Sequence, residues 1–269
     1  MQHPASPPAE AHIVVRDLTM AFGDFVLMRD LDFTVRRGSV FVIMGGSGCG
    51  KSVLLRHMLG LLEPARGEVL YNGRSFTRAG PAERDAMLRG IGILYQHNAL
   101  WSSMTLAENV ALPLQEYTKL SPAEIREVAA LKLALVGLRG FEDFTPSQIS
   151  GGMQKRAALA RAMALDPEVL FFDEPSSGLD PVTARRKDDL MLEVRADLGT
   201  TLVVVSHDLA SILAIADDSI LLDVEAHSAI ASGSPRDLLA HCEDPRVRLF
   251  LTRGAEGRPQ GGARPGGSA

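Results

Sequence analysis

The segment Gly45-Gly46-Ser47-Gly48-Cys49-Gly50-Lys51-Ser52 satisfies the pattern G-x-x-x-x-G-K-[ST]. It follows the strand-sized apolar run Val40–Met44 and precedes a helix-like stretch, Val53–Leu62, so pattern and context agree. Glycines let a backbone wrap closely round phosphate with its N–H groups pointing inward, and the helix N-terminus adds roughly half a positive charge. In this arrangement residues Gly45, Gly46, Ser47, Gly48, Cys49 and Gly50 form the cradle, Lys51 reaches the terminal phosphates and the Ser52 hydroxyl ligates Mg²⁺. A strand, phosphate loop and helix in that order predict an α/β fold that binds a nucleotide.

The rest of the chain must supply the sheet around that unit. Its 269 residues are 46% apolar and 23% charged, the balance of a soluble globular protein. One large domain with an inserted subdomain fits that length; two complete enzymes do not. A net charge of −5 argues against a protein built to grip nucleic acid. Cys49 and Cys242 form no metal-type cluster, so a zinc site or disulfide framework is not expected and a reducing cytosol fits best. The N-terminal MQHPASPPAEAH has neither a basic start nor an apolar stretch, and no apolar run approaches the roughly 20 residues that span a bilayer. Any work at a membrane is therefore expected to go through a partner.

Residues 1–12 and 254–269 read as flexible tails around a domain at 13–253. Strand-like segments lie at Ile13–Arg16, Leu31–Val35, Val40–Met44, Glu68–Tyr71 and Ile91–Tyr95. Asn72-Gly73 suits a two-residue hairpin, which needs positive φ at both central positions. From about 97 to 166 the apolar period becomes helical. There Ser121-Pro122-Ala123-Glu124 has the form of a capping box, Ile125, Val128, Leu131 and Leu135 form an apolar stripe, and Gly137 supplies the stop. The buried runs Val169–Phe172 and Leu202–Val205, with a polar helix-like stretch between them, resume the sheet.

Two further constellations carry chemistry. The run Val169–Phe172 ends in Asp173 and Glu174; at a strand end both carboxylates can address one pocket, Asp173 to hold Mg²⁺ and Glu174 to accept a proton from attacking water. Ser150-Gly151-Gly152, opening a helix, forms a second anion site. One nucleotide has one set of phosphates, so the simplest use of two such sites is a head-to-tail pair of chains with each ATP held between them. Other features have plainer readings: Arg185, Arg186 and Lys187, beside Asp188 and Asp189, read as a solvated helix face. Cys49 lies where alkylation would block nucleotide by bulk.

With Ile149-Ser150-Gly151-Gly152-Met153-Gln154 in place, residues 13–253 resemble the ATP-binding subunits of ABC transporters, whose signature is LSGGQ. The resemblance implies a P-loop NTPase (RecA-like) core with an antiparallel β subdomain and an inserted α-helical subdomain. It assigns Phe22 to stacking on adenine, with Phe25 a competing candidate, and Gln96 to sensing Mg²⁺ and the permease. Ser177-Gly178-Leu179-Asp180 becomes the loop across the dimer, and His207 the switch histidine at the γ-phosphate. Ile149 for Leu is conservative, whereas Met153 for Gln removes a polar side chain.

A narrower resemblance, to the ATPases of Mla/Mce phospholipid transporters, rests on Leu94–Leu100, on Glu108–Leu114 with Gln115-Glu116-Tyr117-Thr118, and on Ile149–Met153. It implies an ATP-bound homodimer on the cytoplasmic face of the inner membrane under two MlaE-type permeases, with Mce-domain proteins in the periplasm and in some systems a STAS-domain protein. Competing readings are an ABC ATPase for another cargo such as amino acids or metal ions, a soluble ABC ATPase, and a small-molecule P-loop kinase. The last leaves Ser150-Gly151-Gly152 and His207 without a role.

Overall fold

The runs in β3 (Val40–Gly45), β7 (Val169–Asp173) and β8 (Thr201–Ser206) lack polar alternation because both faces of their sheet are covered. The computed structural model describes residues 10–95, 99–176 and 180–256. In it these strands join β6 (Ile91–Leu94), β9 (Asp218–Asp223) and β10 (Ser228–Gly233) in the order β10-β9-β3-β8-β7-β6, parallel except for β10. Side chains then sort by period two. Phe41, Ile43, Phe171, Val203 and Val205 enter one core, and Val40, Val42, Met44, Phe172 and Val204 the other.

The first core is closed by an antiparallel sheet of β1 (Ala11–Phe22), β2 (Phe25–Arg36), β4 (Arg66–Tyr71) and β5 (Arg74–Ser75), ordered β2-β1-β4-β5. Phe33 stacks on Phe41 across it, with ring centroids 5.3 Å apart. Asn72 and Gly73 take φ of 51° and 76° between paired Tyr71 and Arg74, as the hairpin requires. β1 runs past Arg16 by bulging at Asp17, and it starts at Ala11, inside the expected tail. His12 is buried there, its Nδ1 2.6 Å from the Thr201 hydroxyl.

α1 (Lys51–Met58) ends short of Leu62: Gly60, at φ 67°, stops it beside the Phe76 ring. α2 (Pro81–Leu88) leads into β6. The second core is covered partly by α3 (Leu106–Tyr117), α4 (Pro122–Leu135) and α5 (Gly151–Ala162), the helical insertion. The capping box forms, with Glu124 N donating to Ser121 Oγ and Ser121 N to the Glu124 carboxylate. The expected stripe on α4 is corrected. Its buried line is Ile125, Ala129, Lys132 and Leu133, whereas Leu131 and Leu135 are 57% and 51% exposed. Steps of three from Ile125 through Val128 to Leu131 fall behind the 3.6-residue turn and leave the core face. α6 (Pro181–Leu198) and α7 (Leu209–Ile215) flank β8, and α8 (Pro235–His241) and α9 (Pro245–Glu256) are the last elements of the described residues, α9 running beyond residue 253.

One glycine sets how closely the insertion approaches the sheet. A Cβ on Gly92 of β6 would stand 2.2 Å from the Ala162 carbonyl oxygen and 2.7 Å from Leu170 Cδ2. Gly92→Ala is expected to cost about 1–3 kcal/mol, as overpacking does. Urea denaturation of the full chain measures it, and unchanged stability would remove the close approach as a constraint.

Candidate functional site

β3 delivers its buried end, Gly45, to the phosphate loop. A Cβ there, at φ 153°, would meet Cys49 Sγ at 2.5 Å and the Leu222 carbonyl oxygen at 2.7 Å, so glycine is required. Gly48 and Gly50 also take positive φ, 78° and 92°, and Gly50 caps α1. Gly46 has open space where a side chain would be, and Ser47 is exposed. The Cys49 thiol is turned inward and buried, and that burial raises its pKa. It is thus a poor target for the alkylation its position suggested, and its side chain does not line the cradle. Lys51, 7% exposed, folds back over the loop, its Nζ donating to the carbonyls of Gly45 and Gly46, each at 3.0 Å.

The carboxylates arrive from β7. Asp173 accepts a 2.9 Å hydrogen bond from Ser52 Oγ. Glu174, at φ 48°, turns left-handed and donates its N–H to Val205 O at 3.0 Å. This conformation is costly for a non-glycine residue. It sends adjacent side chains, which a continuing strand would aim oppositely, into one place. Glu174 Oε1 lies 3.8 Å from Lys51 Nζ, and Oε2 lies 2.7 Å from His207 Nδ1 on the segment leaving β8. Glu174 is largely buried while His207 is 61% exposed. Burial raises the Asp173 pKa; the Ser52 bond opposes this, and the Glu174 charge adds to the rise. Lys51, Ser52, Asp173, Glu174 and His207 thus form one cluster of a cation, a hydroxyl, two carboxylates and an imidazole.

Phe22 and Phe25 pair across the β1–β2 turn and are 51% and 58% exposed. Met20 and Leu27, two residues inward from them along β1 and β2, are the side chains that a Cβ on Gly50 would touch. That part of the hairpin therefore lies against the phosphate loop, and Phe25 also meets the His227 ring edge-on at 6.4 Å. Ser150 caps α5, its hydroxyl accepting from Met153 N at 3.3 Å. Among the described residues no hydrogen bond or ion pair joins Ser150, Gly151 or Gly152 to the Lys51 cluster. Met153 packs against the second core. Asp180 caps α6, accepting from Val182 N at 3.0 Å, Thr183 N at 3.1 Å and Thr183 Oγ1 at 2.5 Å. Gln96 and Ser177–Leu179 lie outside the described residues.

The basic run on α6 is corrected in part. Arg185 and Arg186 are exposed, but Lys187 turns inward to the Ser176 hydroxyl and to Asp188, which is buried and accepts from Ser211 Oγ at 2.8 Å. Asp208, beside His207, was also missed; it caps α7 through Ala210 N and Ser211 N. An Asp immediately before Leu-Ala-Ser was the available signal.

A profile described as ABC transporter matches residues 28–177. The intermembrane phospholipid transport system ATP-binding protein MlaF of Escherichia coli is 41% identical over 244 residues, 90% of this chain and 89% of that one. The "Probable ribonucleotide transport ATP-binding protein mkl" of Mycobacterium tuberculosis is 39% identical over 91% of this chain and 67% of its own length. Among solved structures, cbiO1 of Clostridium perfringens, part of the ABC transporter complex cbiONQ, superposes with a TM-score of 0.79 at 27% identity, covering 91% of this chain and 97% of that one. The ATP-binding cassette MJ0796, dimeric and post-hydrolysis with ADP and Pi, gives 0.73 at 28% identity over 82% and 98%. With the profile spanning more than half of the sequence and a relative of 41% identity matched over about nine tenths of both chains, the chain belongs to the ABC transporter family, as an ATP-binding ATPase subunit.

Proposed function

We propose that the chain powers phospholipid movement through a separate membrane permease, working as a homodimer that closes on two Mg-ATP. The observation that carries the cargo reading is the 41% identity to MlaF across 89% of that protein. Leu88, Tyr95, Trp101 and Tyr117, which flank Gln96 in sequence, are exposed, and Arg89 lies over the Tyr117 ring, 5.4 Å from its centroid, joining the ends of α2 and α3. Such a surface suits a permease docked beside Gln96. Among the described residues no helix is long and apolar enough to cross a membrane.

The donor set fits Mg²⁺: a hydroxyl and a carboxylate 2.9 Å apart are hard oxygen ligands, and two protein ligands leave room for phosphate oxygens and water. When bound, the ion neutralises charge on the phosphates. Lys51 exchanges its loop carbonyls for phosphate oxygens, and the cradle orients the terminal phosphate. Glu174 orients the attacking water and accepts its proton, and His207 donates to the γ-phosphate. The partner's signature segment completes the site, so hydrolysis waits on closure. Phe22 and Phe25 offer aromatic surface to the base.

The mycobacterial relative's name supports a second reading, in which the cargo is a ribonucleotide. Co-purification of the untagged native complex, with mass spectrometry of its subunits and bound small molecules, separates the two. A permease carrying phospholipid is expected; a complex carrying ribonucleotide or an amino-acid-binding protein would overturn the phospholipid reading.

A further inference from the structure

Lys187 and Asp188 form a buried ion pair that the mechanism above does not use. Their side chains are 12% and 7% exposed and 3.2 Å apart. Burial lowers the Lys187 pKa, an effect opposed by Asp188 and Asp208. An apolar pair would fill such a site without the cost of removing two charges from water. What the charges reach is informative. Lys187 Nζ donates to the hydroxyl of Ser176, two residues after Glu174 and immediately before Ser177-Gly178-Leu179. Asp188 accepts from Ser211 Oγ at 2.8 Å, and Ser211 N donates to Asp208, the residue after His207, at 3.4 Å. The segments leaving β7 and β8 are therefore tied twice: directly by Glu174 to His207 at 2.7 Å, and again through Ser176, Lys187, Asp188 and Ser211.

In the proposed reaction Glu174 addresses water and His207 the γ-phosphate, so their direct contact joins two groups that each have chemistry to do, whereas the second tie joins groups that have none. We infer that Lys187 is a positioning residue: with Asp188 it holds the Glu174 and His207 segments in register whether or not their own contact opens, and so couples the catalytic carboxylate to the loop that crosses the dimer. This rests on the roles given to Glu174 and His207. Among the described residues no hydrogen bond or ion pair joins Lys187 or Asp188 to Lys51, Ser52, Asp173, Glu174 or His207, so loss of the pair is expected to change hydrolysis and leave nucleotide affinity alone.

Three full-length variants test it by single-turnover ATP hydrolysis at saturating protein, equilibrium ATP titration and thermal unfolding. Lys187→Met is expected to slow hydrolysis about 2- to 30-fold, the range for residues that couple two sites, with ATP affinity unchanged. It also leaves Asp188 buried without its cation and lowers the unfolding temperature. The double variant Lys187→Met with Asp188→Leu removes both charges; its unfolding temperature should return to the wild-type value while hydrolysis stays slow. Wild-type hydrolysis in the double variant would overturn the proposal, reducing the pair to a fold contact, and this arm decides even if Lys187→Met does not fold. Ser211→Ala cuts the bridge at its far end without moving a charge and is expected to slow hydrolysis in the same sense; a normal rate there would also count against the bridge. Glu174→Gln, measured alongside, reports on the parent mechanism separately, because its contacts with Lys51 and His207 lie outside the bridge.

Discussion

Glu174→Gln is expected to bind Mg-ATP with unchanged affinity, to hydrolyse it about 10²–10⁴-fold more slowly, and to accumulate as a closed dimer. The glutamine keeps the size of the side chain and can still hydrogen-bond His207 across the present 2.7 Å, but it cannot accept a proton. Asp173→Asn should behave differently, because Asp173 bonds Ser52 and not His207: its expected signature is weakened Mg²⁺ dependence and poor dimer formation. Single-turnover hydrolysis together with size exclusion in Mg-ATP reads both. Two variants with similar, near-normal turnover would mean that the carboxylates only finish the strand.

The second large effect concerns a site that one chain does not complete. Ser150→Arg puts a long cation at the N-terminus of α5 and should abolish hydrolysis, yet leave ATP binding to the isolated chain nearly intact, since the phosphate loop is untouched. Loss of the cap on Met153 N costs about 1 kcal/mol, small enough for circular dichroism to verify the fold. Lys51→Ala is the complementary lesion. It removes a charge-assisted contact and should weaken ATP binding about 10- to 150-fold. Mixed together, the two variants form heterodimers in which one site carries both lesions and the other neither, so part of the activity should return. ATP binding lost in the Ser150 variant alone would argue instead that the signature serves its own chain.

Much of this was legible where chemistry demands particular residues in a row. The glycines of the phosphate loop, the Asn72-Gly73 turn and the Ser121 capping box are local solutions to local backbone problems, and the structure contains each of them. The unalternating runs of β3, β7 and β8 announced a sheet covered on both faces. What stayed hidden depended on distant partners. β9 and β10 are short and mix Ser, Asp and Gly with their apolar residues, so they become strands through pairing with β3 and with each other. Lys187 and Asp188 look like any charged pair on a helix until Ser176 and Ser211 come to meet them. Cys49 sits among cradle residues in sequence, and only the approach to Gly45 takes its thiol out of the cradle. The left-handed turn at Glu174 left no trace in composition at all.

The position of β3 bears on how the protein is made. It carries the phosphate loop, yet its neighbours in the sheet are β8 and β9, so that Val40 waits for Leu202 and Phe41 for Asp218. While the ribosome is still producing the helical insertion, β3 has neither lateral partner, and the apolar side chains on both its faces have no completed core to enter. Contacts this far apart in sequence form late and leave the incomplete chain prone to aggregate. Nucleotide meets no ordered phosphate loop at that stage, because the strand that carries it still lacks both its neighbours. The same strand order that centres the loop in the finished sheet therefore makes a chain extending through β9, rather than its N-terminal half, the smallest unit able to acquire the site.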